Sequence, residues 1–188
     1  MISDMLGFKD HVCAVKSCSK CPLARSEDMR LIAAGDPRGH ILIVIDSPRE
    51  EEIRFKVPLC YEDGLYFQKI LGSVGFEFGY CMVTYCVSCV MPELRLPSEG
   101  EYGPCFSNLW KTITYFDPKL ILAVGSLPTK ILTKSKKTVS ALQGEVLRLN
   151  KYRVMPVQHP GFIRTKATKI QVKEYKKALE SARNLVFK

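Results

Sequence analysis

The sequence of 188 residues contains no apolar run near the roughly 20 residues that a membrane span needs. Its opening stretch, MISDMLGFKDHV, mixes charge with apolar residues and lacks the unbroken apolar segment of a signal peptide. An intracellular protein without a membrane partner is the expectation. No internal repeat, low-complexity tract or linker composition interrupts the chain, so one domain over residues 1–188 is the economical organisation. Acidic residues are in deficit, 19 against 28 Lys and Arg, leaving a net charge of +9. That excess points to a polyanionic partner, nucleic acid first, with a solvated basic surface as the plain alternative. What is present is a globular composition, 46% apolar and 25% charged, long enough to bury a core.

The apolar pattern places strands and helices in alternation. HILIVIDSP (40–48), YCMVTYCVSCV (80–90), KLILAVG (119–125) and YRVMPVQHP (152–160) begin as short, nearly continuous apolar runs, the pattern of strands buried on both faces. Helical spacing occupies 2–15, with Met5, Leu6, Val12 and Val15 on one face, and 64–75, 105–116, 126–134 and 168–187. The alternation predicts a three-layer α/β/α sandwich around a parallel four-stranded sheet. Ligands in such sheets bind beyond the carboxyl ends of the strands. Attention therefore falls on Asp46-Ser47-Pro48, Thr84-Tyr85, Gly125-Ser126 and Gln158-His159-Pro160.

Eight cysteines in a reducing compartment read as ligands or small buried apolar residues rather than disulfides. Cys18 and Cys21 form a C-x-x-C pair. It precedes the first strand, whereas a thioredoxin-like pair follows one, so redox chemistry is disfavoured. Cys89 and Cys105 stand sixteen positions apart and form no second knuckle, which disfavours zinc. One local pair and two distant cysteines suit a [4Fe–4S] cluster. On spacing, the cluster, zinc and ordinary free thiols all stay open.

The order of motifs resembles the iron–sulfur uracil-DNA glycosylases, a group that includes domains related to phage DNA polymerases. The matching pieces are CSKCPLAR (18–25), IDSP (45–48), PLCYEDG (58–64), CVMPELRLP (89–97), EYGPC (101–105), PKLILAVG (118–125) and QHPGFIR (158–164). Any one is common by chance; the series in this order is specific. The resemblance implies a uracil-DNA glycosylase-like fold, with Cys18, Cys21, Cys89 and Cys105 holding a [4Fe–4S] cluster. Cys13, Cys60, Cys81 and Cys86 are then structural.

It also implies roles for other residues. Asp46 stands where the family has the carboxylate that orients water and offsets positive charge on the sugar, with Glu50, Glu51 and Glu52 as alternatives. His159 matches the histidine of the His-Pro motif and would donate to the departing base. Ser47 and Pro48 belong to the base pocket. Two departures matter. Leu59 replaces the stacking Phe and offers no π-face. Tyr85 replaces the base-reading Asn; a phenol lacks the paired donor and acceptor of an amide and is large enough to fill the pocket. Phe162 and Ile163 are expected as wedges into the duplex, with Arg164, Lys166 and Lys169 on phosphates. Two functions follow. One is a DNA glycosylase cutting the N-glycosidic bond of uracil or of another base, modified bases included. The other is a catalytically weak or inactive module that holds DNA or a replication or repair partner. A monomer is expected in either case.

Overall fold

The computed structural model describes residues 2–24 and 30–187, with side chains from residue 7 onward. Met5 and Leu6 of the first predicted helical face therefore lie outside the described side chains. Eight helices and six strands are defined among the described residues: α1 (Ile2–Lys16), β1 (Ala33–Gly35), β2 (Ile41–Ile45), α2 (Glu50–Phe55), α3 (Glu62–Ser73), β3 (Cys81–Tyr85), α4 (Glu99–Phe116), β4 (Leu120–Val124), α5 (Ser126–Thr133), α6 (Val139–Leu142), β5 (Leu147–Leu149), β6 (Tyr152–Val157), α7 (Pro160–Thr165) and α8 (Lys169–Val186).

The strands form one sheet in the order β1-β3-β2-β4-β6-β5. β3, β2, β4 and β6 are parallel, as the continuous apolar runs predict, and each is almost wholly buried. The two edge strands are antiparallel, β1 on β3 and β5 on β6. They extend the predicted four strands to six. Each has only three residues, AAG and LRL, too few to show an alternation of period two.

Alternate side chains of the central strands point to opposite faces. Ile41, Ile43, Ile45, Val83 and Leu122 pack on one side with Phe67 and Leu71 of α3 and Tyr175 and Leu179 of α8. Leu42, Val44, Met82 and Ile121 pack on the other with Leu109 and Ile113 of α4 and Leu127 and Leu132 of α5. This is the predicted α/β/α sandwich. α1 lies outside α4: Phe8 meets Tyr115 and Phe116, and His11 bonds to Thr112 through Nε2 at 3.1 Å.

α4 begins six residues earlier than its apolar spacing suggests. Gly100, Gly103 and Pro104 hide its first turns in the sequence, but a capping box formed by Ser98 and Glu101 starts it. Glu101 accepts from the Ser98 N–H at 2.7 Å and from both terminal nitrogens of Arg95 at 2.8 and 2.5 Å. Arg95 beside it holds the Glu101 carboxyl down at about 2. The pair pins the loop before α4 across the carboxyl end of the sheet.

β2 lies between β3, which follows it in sequence, and β4, which follows β3. Chain order therefore reverses at β2 and β4. A crevice must open beyond the carboxyl ends of these two strands.

Candidate active site

The crevice at this switch point has a volume of about 290 Å³ and is lined by side chains that follow three neighbouring strands. Asp46 follows β2, Gly125 and Ser126 follow β4, and His159 follows β6. A volume near the lower end of ligand pockets, which run from about 300 Å³ upward, suits a single small ring system.

Asp46 Oδ1 is buried and has no hydrogen-bond partner among the described residues. Burial disfavours the charged carboxylate and pushes its pKa up to about 7. Gly125, at φ +97°, separates it from His159. A Cβ built on Gly125 would lie 3.8 Å from Asp46 Oδ1, and 3.6 and 3.7 Å from Cβ and Cδ2 of His159. Glycine thus permits the left-handed backbone and leaves room between carboxylate and imidazole.

His159 caps the N-terminus of α7. Its Nδ1 accepts from the Gly161 N–H at 3.1 Å, so the ring proton sits on Nε2 and that nitrogen is the donor. Burial lowers the pKa of the ring; Asp63 opposes that shift and Arg49 adds to it. The imidazole is therefore held neutral near pH 7. A Cβ at Gly161 would come within 2.7 Å of Asp63 Oδ2, so a larger residue there would push the Asp63 carboxylate aside.

The expected base-pocket residues divide. Ser47 lines the crevice, and Pro48 is buried behind it. Leu59 and Tyr85 do not line it; they are 0% and 2% exposed. The reason is Glu52, which is fully buried at the third position of α2. Its carboxylate accepts from the Leu59 N–H at 2.6 Å, the Arg49 N–H at 2.8 Å and the Tyr85 hydroxyl at 3.0 Å. Burial raises the Glu52 pKa and these donors pull it back. Tyr85 is thereby drawn into the core instead of filling the pocket. Glu52, one of the alternative carboxylates, is committed to this network, while Glu50 and Glu51 are exposed on α2.

Two crevice residues were not anticipated in these roles. Tyr61 places its ring in the crevice, and the Arg49 guanidinium stacks on it with its carbon 4.2 Å from the ring centroid. The signal was present in the sequence. Tyr61 is an aromatic two residues beyond Leu59, and Arg49 replaces a glycine of the family's turn.

The expected DNA-binding residues also divide. Ile163 is 2% exposed and Phe162 packs partly against the same core, because GFIRT folds as α7 rather than as a projecting loop. This corrects the wedge assignment for Ile163. Arg164 is not a free cation; it pairs with Asp63 and Glu62, each at 2.7 Å. Lys166 and Lys169 are exposed. At the crevice rim the exposed apolar side chains are Leu94 and Leu96.

The four cysteines of the expected cluster come from three segments. Cys18 and Cys21 lie in the turn after α1, Cys89 follows β3, and Cys105 lies in the second turn of α4. All four are half-buried. An isolated bridge joins Arg30 to Cys89, and Lys20 Nζ donates to Ser107 Oγ at 3.3 Å, tying the N-terminal turn to α4. Burial raises the thiol of Cys89 to about 11; Arg30 opposes this, and the neighbouring thiols of Cys105 and Cys21 add to it. Burial likewise raises Cys105, with Cys18 and Cys21 as further neighbours. The four sulfurs thus share one electrostatic neighbourhood, a donor set suited to iron–sulfur ligation. Among the described residues, no three are close enough together to form a metal-binding group as they stand. Cys81 and Cys86 are buried, Cys60 is half-buried and Cys13 is exposed.

The carboxylate and the neutral histidine thus line one crevice, sized for a single small ring, at the switch point of a parallel α/β/α sandwich. Comparison with known proteins makes this specific. The family model of the uracil DNA glycosylase superfamily matches residues 32–183, and the chain belongs to that superfamily. A type-4 uracil-DNA glycosylase from Thermotoga maritima is 25% identical over 151 residues, covering 79% of each chain. One from Sulfurisphaera tokodaii is 31% identical over 130 residues, 68% of this chain and 59% of the relative. A DNA polymerase of Bacillus phage SP01 is 27% identical over 130 residues, 69% of this chain but 14% of the polymerase.

Proposed function

We propose that the protein is a DNA glycosylase that binds DNA and hydrolyses the N-glycosidic bond of uracil or a related base. The observation that carries this is the placement of Asp46 and His159 on either side of Gly125 in one crevice. In its ionised form Asp46 accepts a hydrogen bond from a water molecule and offsets positive charge on the sugar. The water oxygen bonds to the anomeric carbon, and the bond to the base nitrogen breaks with its electron pair leaving on the base. A proton from the water passes to Asp46 or solvent. The Nε2–H of His159 donates to the base oxygen on which negative charge develops, and the base then takes up a proton. Because Asp46 acts as the carboxylate, excision should rise with pH through about 7.

Cys18, Cys21, Cys89 and Cys105 would hold a [4Fe–4S] cluster, supported by the shared neighbourhood of their four thiols. Bound there, the cluster would cross-link the N-terminal turn, the segment after β3 and α4. The similarity to a phage DNA polymerase supports a replication-associated setting. A second reading, a DNA-binding module without catalysis, is favoured by the withdrawal of Leu59 and Tyr85 from the crevice. Incubation of iron-loaded protein with oligonucleotides carrying uracil, hypoxanthine or xanthine separates the two: abasic sites support the enzyme, and tight binding without abasic sites supports the module.

A further inference from the structure

We propose that Arg30 is a positioning residue for the iron–sulfur site: its guanidinium, held beside Cys89 by the end of α1, raises the reduction potential of a cluster bound there and slows the loss of its iron. The proposal rests on the reading of Cys18, Cys21, Cys89 and Cys105 as cluster ligands.

Arg30 lies on a short segment that runs beside the residues following β3. It forms an isolated antiparallel bridge with Cys89, and the Leu31 N–H donates to the Ser88 carbonyl at 2.8 Å. Residues opposed in this way set their Cβ atoms roughly 4.5–5.5 Å apart on one face. The Arg30 side chain is therefore brought alongside Cys89. It is only 9% exposed, and its Nη1 donates to the carbonyls of Val15, at 3.1 Å, and Lys16. Both carbonyls belong to the last turn of α1, where the helix leaves them without helical partners and partly negative. Cys18 follows directly after this turn. One guanidinium thus ties the helix that leads into Cys18 and Cys21 to the segment that carries Cys89.

The two carbonyls do not use up its donors. Arg30 Nε is buried and has no acceptor among the described residues, and a buried donor left so is costly. The Cys89 sulfur is the neighbouring acceptor. Arg30 favours its thiolate by charge and by a hydrogen bond, against the burial that opposes ionisation. Lys20, the cation within the Cys18–Cys21 turn, is exposed and donates to Ser107 Oγ instead. Iron–sulfur ligation uses cysteine thiolates, and reduction adds one more negative charge to the site. A buried cation is screened little by salt, so Arg30 favours the more negative, reduced state; a hydrogen bond to the sulfur acts in the same sense. Arginine suits this place because its planar fork serves several acceptors at once, which a lysine ammonium does less well.

Redox titration of the anaerobically iron-loaded protein, followed by visible absorbance and electron paramagnetic resonance, tests this without requiring turnover. In Arg30→Met the reduced form should be disfavoured roughly tenfold at a given potential, a fall of about 59 mV for one electron. Arg30→Lys keeps the charge and should stay within about threefold of wild type. Lys20→Met removes an exposed, screened cation and should also stay within about threefold. Release of iron to a chelator should be roughly tenfold or more faster in Arg30→Met and close to wild type in Arg30→Lys. An Arg30→Met potential equal to that of wild type, even in a less stable protein, would make Arg30 a cap of α1 alone and overturn the proposal. A fall matched by Lys20→Met would overturn it too; both results leave the cluster reading intact. Should Arg30→Met take up no iron, Arg30→Lys decides: uptake and potential like those of wild type support the proposal, and failure to load overturns it. Wild-type protein that binds zinc or no metal removes the cluster reading itself, and the proposal with it.

Discussion

Replacing Asp46 by Asn should make the protein more stable at alkaline pH while abolishing excision. The carboxyl is raised from an ordinary 3.8 to about 7 by burial alone, with Oδ1 lacking a partner among the described residues. Below about pH 3.8 it is protonated in both folded and unfolded chains and contributes nothing. Between that value and about 7 the unfolded chain ionises while the folded one keeps its proton, so stability falls as pH rises. Above about 7 the cost is complete, about 4 kcal/mol from the shift in pKa. The Asn amide brings N–H groups that also lack partners, so the net gain at pH 8 should be nearer 2 kcal/mol. For a chain of this length that raises Tm by about 4–8 °C. Thermal unfolding of wild type and Asp46→Asn from pH 4 to pH 9 reads the difference. The variant should be the less stable protein at pH 4, where only the amide cost remains, and the difference should change sign and favour it by pH 8. A variant less stable at pH 8, or a difference that does not change with pH, would refute the claim that a buried, unpartnered carboxylate sits in this crevice.

Other perturbations address separate parts of the molecule. Cys89→Ala or Cys105→Ala should remove bound iron and the brown colour, while Cys60→Ala keeps both; iron analysis of anaerobically purified protein decides. Lys166→Glu with Lys169→Glu should weaken DNA binding alike for all sequences and flatten its salt dependence, measured by fluorescence anisotropy across a salt series. Leu94 has a left-handed φ of 56°, so Leu94→Gly should stabilise the chain by about 1 kcal/mol, read by urea unfolding. Gly125→Ala places a methyl group against Asp46 and His159 and strains the backbone at φ +97°, so it should lower excision by roughly tenfold or more with DNA binding retained.

The central sheet and the crevice were legible because both follow from periodicity. Runs such as ILIVI and LILAV are too apolar to face water on either side, and parallel strands put the residues that follow them at one end. Asp46 and His159 come together for that reason alone. The edge strands were not legible, since AAG and LRL carry no pattern. Nor was the loss of Leu59 and Tyr85 from the crevice, which depends on hydrogen bonds to Glu52 from residues 7 and 33 positions away. A run of three glutamates gives no sign that one of them is fully buried. The wedge assignment for Ile163 failed because His159-Pro160 starts a helix, and helical geometry turns Ile163 inward. Arg164 looked free because Glu62 and Asp63 lie about a hundred positions earlier.

The most direct test of the central claim is alkaline strand cleavage of an oligonucleotide carrying a single uracil after incubation with the iron-loaded protein at pH 8. A glycosylase working through Asp46 and His159 predicts cleavage at the uracil position by the wild type. It also predicts a loss of roughly 10²-fold or more in Asp46→Asn and in His159→Ala, both still binding the oligonucleotide. Wild-type protein that binds the DNA but leaves uracil, hypoxanthine and xanthine oligonucleotides uncut, or an Asp46→Asn variant that cuts as fast as wild type, would contradict it.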